Sequence, residues 1–104
     1  MVNIYSLPAV LPDEEQVDKL WEGTDCRIER IISCGQVSPP GFWYEQPEDE
    51  WVLLLQGQAV IGYFDGSRSE LQTGDYLLIP AGLKHRVEYT SQEPFCIWLA
   101  VFGI

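Results

Sequence analysis

"GDYLLIPAGLKHRVEYT", residues 74–90, decides the fold of this chain. Tyr76 to Pro80 is an apolar run too short for a helix. It is entered through Gly74-Asp75 and left through Pro80-Ala81-Gly82. Glycine and proline at such places punctuate strands rather than helices. After the turn, His85 to Thr90 alternates, with His85, Val87 and Tyr89 on one side and Arg86, Glu88 and Thr90 on the other. The charged set is expected in water, so His85 is expected to point inward.

The same reading extends in both directions. "RIERIISC" (27–34), "EWVLLLQ" (50–56), "AVIGYF" (59–64), "SELQ" (69–72) and "FCIWLAVF" (95–102) are further strand candidates, separated by turn residues at 38–41, 56–58, 65–66, 73–75, 80–82 and 92–94. Seven or more short strands joined by tight turns imply an antiparallel sandwich or barrel. Several of the strands are apolar on both faces: Glu50, Val52 and Leu54 share one side of their strand, and Trp51, Leu53 and Leu55 the other. An antiparallel strand ordinarily keeps one face wet. The second face therefore needs a cover, either an N-terminal helix or another subunit, and a homodimer is expected.

A helix is expected in the first 26 residues, where "LPDEEQVDKLWEG" places Asp13 as N-cap, Glu14 and Glu15 in the first turn, Val17, Leu20 and Trp21 in an apolar stripe and Gly23 as the stop. The domain layout expected is thus an arm and short helix over 1–26, packed as part of the same domain as a β-barrel over 27–104.

Composition bounds the function. The chain has 104 residues, of which 46% are apolar or aromatic, enough for one compact core. No apolar run approaches the roughly 18 residues of a membrane span, and "MVNIYSLPAV" lacks the basic and long apolar parts of an export signal. A cytoplasmic protein is expected. Cys26, Cys34 and Cys96 form an odd set without CxxC spacing, as expected of free thiols. Sixteen acids against six bases give a net charge of -10, which repels phosphate and argues against nucleic acid and anionic membrane as partners. "DEEQ" and "PEDE" lack the ligand-and-glycine order of a calcium loop, and no phosphate loop, nucleophile elbow or dinucleotide fingerprint occurs.

Two segments carry a further spacing. "EWVLLLQG" has Glu50, six residues, then Gly57; "GDYLLIPAGLKH" has Gly74, five residues, Pro80, one residue, Gly82, two residues, then His85. These resemble the two signature motifs of the cupin superfamily, over roughly residues 27 to 102. The resemblance implies a small antiparallel jelly-roll barrel and a metal site in which the first motif contributes two histidines ahead of its glutamate. Here those positions fall on Tyr44 and Gln46, the leading glycine falls on Ser38, and Tyr89 stands where the second motif often has asparagine. The superfamily hosts many unrelated activities, so the resemblance names no substrate.

Tyr44 and Gln46 share the parity of Glu50, so Tyr44, Gln46, Glu50 and His85 are expected to converge on one apolar interior, where buried polar groups need partners. Trp43, in the stiff aromatic loop "SPPGFWY", is a candidate pocket wall. Two classes of function stay open. One is a small-molecule-binding protein. The other is an enzyme, either metal-assisted (oxygenase, isomerase or lyase, as the resemblance implies) or metal-free with His85 and Tyr44 as acid and base. His85, Glu50 and Gln46 are the candidate ligands of a divalent metal, manganese, iron, nickel or zinc, at partial occupancy, since one imidazole suits the borderline metals poorly. No cofactor at all is the alternative.

Overall fold

The computed structural model describes residues 2–7, 10, 11 and 13–103. Eight strands follow one another: β1 (Gln16–Glu22), β2 (Cys26–Ser33), β3 (Asp49–Gln56), β4 (Ala59–Tyr63), β5 (Arg68–Leu71), β6 (Tyr76–Ile79), β7 (His85–Thr90) and β8 (Cys96–Gly103). They form two antiparallel sheets, one ordered β1-β2-β8-β3-β6 and one ordered β5-β4-β7. The cupin-like all-β architecture is present, but the barrel is not closed by hydrogen bonds into a single sheet.

The expected N-terminal helix is overturned. No helix occurs among the described residues, and Gln16–Glu22 is instead the edge strand β1, paired antiparallel with β2 from Gln16 opposite Ile32 to Glu22 opposite Arg27. An isolated helix of this length is marginal in water, whereas the strand satisfies the otherwise bare edge of β2. A register shift between Lys19 and Trp21 leaves Leu20 unpaired, so Val17 faces the core side and Trp21 the opposite side. The i, i+3, i+4 spacing of Val17, Leu20 and Trp21 is therefore a bulged strand that counterfeits a helical stripe. Gly23 is the hairpin turn, its amide donating to the Cys26 carbonyl at 2.7 Å.

The core follows from the period of two. Val52, Leu54, Ala59, Ile61, Leu71, Ile79, Cys96, Trp98, Ala100 and Phe102 are buried together between the sheets. The other side of the larger sheet is also apolar: register places Trp21, Ile28, Val101, Trp51 and Leu78 in one row across all five strands. With no helix over them, Trp21 and Leu78 remain 54% and 58% exposed. Among the described residues, the β1–β2 end of this face meets the N-terminal arm: Arg30 is paired with Asp18 at 2.7 Å and donates to the carbonyls of Ile4 and Ser6.

One parity expectation fails. Val60 pairs with Tyr89 but Ile61 with Val87, so Glu88 is an extra residue in β7 and the faces exchange beyond it. Tyr89 is consequently exposed, while Thr90 turns inward and its hydroxyl donates to the Gln36 carbonyl at 2.6 Å. The three cysteines are free thiols, as expected.

Candidate functional site

The two motif segments are held together by backbone pairing. Tyr44 and His85 form an isolated antiparallel bridge, the Tyr44 amide donating to the His85 carbonyl at 2.7 Å and the His85 amide returning to Tyr44 at 3.0 Å. Directly opposed residues share a face, and the two rings stack with centroids 5.5 Å apart at 24°. Further along, the Gly82 amide donates to the Gln46 carbonyl at 2.8 Å and the Ala81 amide to Asp49 Oδ1 at 2.8 Å. Ser38, in the place of the family's leading glycine, is buried; its amide donates to the Val87 carbonyl and its Oγ accepts from the Val87 amide. The stretch from 38 to 49 thus lies along the start of β7 and the turn before it.

Between the sheets this arrangement leaves a cavity of about 170 Å³. Tyr44, Gln46, Glu50 and His85 all line it, against walls that include Val52, Ile61, Ile79, Val87, Trp98 and Phe102. Trp43 does not line it: the indole meets Phe64 edge-on at 5.3 Å, with the Arg86 guanidinium 5.8 Å from its ring. Trp43, expected as a pocket wall, lies half-buried outside this lining, because adjacent residues of an extended segment point to opposite sides.

His85 and Glu50 are the buried polar pair, 5% and 8% exposed. Glu50 comes from β3 in the larger sheet and His85 from β7 in the smaller, and Glu50 Oε1 lies 3.6 Å from His85 Nε2. At that distance the contact is an ion pair rather than a well-formed hydrogen bond. His85 Nδ1 lies 2.9 Å from the Leu83 carbonyl, which can only accept, so Nδ1 carries a proton and Nε2 is the nitrogen presented to Glu50 and the cavity. Burial, the largest influence, disfavours the imidazolium, but the Glu50 carboxylate and the Leu83 carbonyl outweigh it and raise the pKa of His85. Burial and the charges of Glu15 and Glu50 push the Tyr44 phenol up, so at neutral pH it keeps its proton and can donate.

Three charged residues of the cavity, Glu15, Arg27 and Glu29, are not among the candidates the sequence supplies. Arg27 and Glu29 alternate with Ile28 along β2, which is a legible signal, although charge on a strand ordinarily marks the wet face. Glu15 was hidden by the helix reading. At the mouth, with one side open to solvent, its carboxylate accepts from Ser33 Oγ at 2.8 Å. Burial raises the Glu15 carboxyl, the Ser33 hydroxyl partly opposes this, and the charge of Glu50 adds to it.

The donor set is a poor fit to a resident metal centre. A catalytic zinc ordinarily takes three protein ligands. Among the described residues no three His, Cys, Asp or Glu side chains cluster as a metal site, and the strong donors here are one imidazole nitrogen and one carboxylate. What the site can do with its own groups is bind and orient a small polar molecule and exchange a proton at His85 Nε2.

Comparison with known proteins agrees with this fold. The cupin domain model matches residues 32–102. A crystal structure of a protein from Ralstonia eutropha JMP134, provisionally named a mannose-6-phosphate isomerase, is 39% identical, covers 99% of this chain and 96% of its own, and superposes with a TM-score of 0.92. A cupin superfamily protein from Desulfitobacterium hafniense DCB-2 is 21% identical over 93% of this chain and 84% of its own, with a TM-score of 0.75, which speaks for the fold alone. The uncharacterized protein YdbB of Bacillus subtilis (strain 168) is 24% identical over 93% of this chain and 84% of its own. Motif spacing, sheet order and matched residues all lead to one assignment: the chain belongs to the cupin family.

Proposed function

We propose that this cupin is a small-molecule-binding protein whose ligand lies in the cavity against Tyr44, Gln46, Glu50 and His85. The observation that carries this reading is the buried His85–Glu50 pair, Nε2 to Oε1 3.6 Å apart, with both residues lining the cavity between the sheets. Two ionisable groups kept in an apolar cavity are costly unless they serve a partner. The volume, about 170 Å³, suits a molecule on the scale of a benzene ring with a few substituents, since a cavity of about 150 Å³ holds benzene. The name given to the Ralstonia relative would suggest a sugar phosphate, which the carboxylates lining this cavity disfavour.

A second reading, acid–base catalysis without metal, is favoured by the Tyr44–His85 stack and by the tautomer fixed at Nδ1. His85 Nε2 would accept or return a proton, Glu50 would stabilise the imidazolium so formed, and the protonated Tyr44 would donate to an oxygen of the substrate.

Both readings are tested by a thermal-shift panel of neutral polyols, amino acids, amines and sugar phosphates, followed by NMR of the single imidazole. A ligand at 100 times its Kd adds about 2.7 kcal/mol, which for a chain of this size raises Tm by roughly 10 °C or more. Any true cavity ligand should move the His85 resonances saturably and lose its effect in His85→Gln. Hits that leave the imidazole untouched would place binding elsewhere and defeat the proposal.

A further inference from the structure

We infer that the cavity selects a small organic cation, an amine or quaternary ammonium, and rejects phosphorylated and carboxylated molecules, with Glu15 as the counter-ion at its mouth. The inference rests on the small-molecule-binding reading above and adds the charge class of the ligand.

The lining carries three carboxylates, Glu15, Glu29 and Glu50, against one guanidinium and one imidazole. Arg27 looks at first like an anion receptor, but two carboxylates already claim it: its Nη1 lies 2.6 Å from Glu48 and its Nε 3.2 Å from Glu29. Its guanidinium also lies over the Phe102 ring, 3.9 Å from the centroid. An anionic ligand would have to displace these partners in a partly desolvated site. The imidazole is likewise committed to Glu50. Counting Glu48, the assembly of four carboxylates, Arg27 and a protonated His85 keeps two net negative charges. A phosphate dianion entering it meets repulsion, and among the described residues that line the cavity no uncommitted cation offsets it.

Glu15 is the group left over. Its one hydrogen-bond partner among the described residues is the Ser33 hydroxyl, and none of their cationic side chains lies within ion-pair reach of it. Desolvation on its cavity side raises its carboxyl, the Ser33 hydroxyl partly opposes this and the charge of Glu50 adds to it, while its other side is open to solvent. The walls supply the other half of an ammonium site. Tyr44 and Trp98 line the same cavity, beside Phe102, one face of which is already taken by Arg27. Aromatic rings beside a carboxylate are the chemistry by which alkylammonium groups are held.

The test compares three probes on the unmodified protein at equal ionic strength, read by the His85 imidazole and by tryptophan fluorescence. The probes are choline, its uncharged isostere 3,3-dimethyl-1-butanol, and mannose 6-phosphate. Choline should bind saturably, the isostere about ten-fold more weakly, and the sugar phosphate not measurably; Glu15→Gln should cost choline about ten-fold and leave the isostere unchanged. If the isostere matches choline, or the sugar phosphate binds best, the cavity reading survives and the charge inference is overturned. If none of the three moves the imidazole, the charge inference falls as well, and the thermal-shift panel decides separately whether the cavity reading falls with it. The wild-type comparison of choline with its isostere does not depend on how the variant folds.

Discussion

Replacing Glu50 by glutamine probes the inter-sheet pair with almost no change of shape. Opposite charges 3.6 Å apart at an effective dielectric constant of about 20 attract by about 4–5 kcal/mol before any solvation cost. Desolvating both groups consumes much of this, and His85 can shed its proton once its partner is gone, so the net loss should be about 1–3 kcal/mol. The sign depends on pH. Because the His85 pKa in the folded chain is raised above its unfolded value of 6.5, the stabilisation is complete below pH 6.5 and disappears as pH rises through the folded midpoint. With a urea slope of about 1–3 kcal/mol/M, the unfolding midpoint of Glu50→Gln should fall by about 1 M at pH 6 and scarcely move at pH 9. NMR titration of the one imidazole should show its midpoint moving down in the variant. An unmoved midpoint, or the same loss of stability at both pH values, would refute the pair as an energetic unit.

Other consequences can be measured as directly. We propose that this cupin is a homodimer joined through the row Trp21, Ile28, Val101, Trp51 and Leu78, so light scattering at micromolar concentration should give twice the chain mass of 11.9 kDa and Leu78→Glu should reduce it to one; a wild-type protein of monomer mass ends that proposal. Restoring the family pattern with Tyr44→His and Gln46→His should raise divalent-metal affinity well above the parent's, and calorimetry detecting no uptake would mean that these side chains and His85 and Glu50 cannot share an ion. Gly57→Ala should cost about 2–4 kcal/mol by chemical denaturation: φ is +100°, and an added Cβ would lie 3.0 Å from the Cys96 backbone and 2.8 Å from Ser91 Oγ. Gly82→Ala, at φ +78° with open space around it, should cost only about 1 kcal/mol, and equal losses at the two positions would mean that conformation rather than packing sets both.

The parts of this molecule that were legible in the sequence are those governed by local alternation. Val52, Leu54, Trp98 and Phe102 sit where a period of two puts them, and the shared strand parity of Tyr44, Gln46 and Glu50, with His85 turned inward, is what makes their common interior legible. The parts that were not legible depend on long-range pairing. β1 was unreadable because a bulge at Leu20 gives a strand the spacing of a helix, and the need to cap the edge of β2 is invisible within residues 16–22. The extra residue Glu88 reversed Tyr89 and Thr90 for the same kind of reason, since a bulge is defined by its partner strand. Arg27 and Glu29 are not legible as cavity residues because charge on a strand ordinarily signals water, and the fold is what turns their side of β2 to the cavity.

The Tyr44–His85 bridge joins positions 41 residues apart, and the His85–Glu50 contact connects two sheets that share no hydrogen-bonded strand pair. A ligand touching both side chains would act as a rivet between the halves of the sandwich, resisting the sliding or gaping of one sheet against the other. Its binding free energy would then be felt most by the amides of residues 42–46 and of early β7, which should exchange with solvent more slowly in the complex, while β5, none of whose residues lines the cavity, keeps its free-state exchange rates. Occupancy could in this way be read from the breathing of the backbone before any chemistry of the ligand is known.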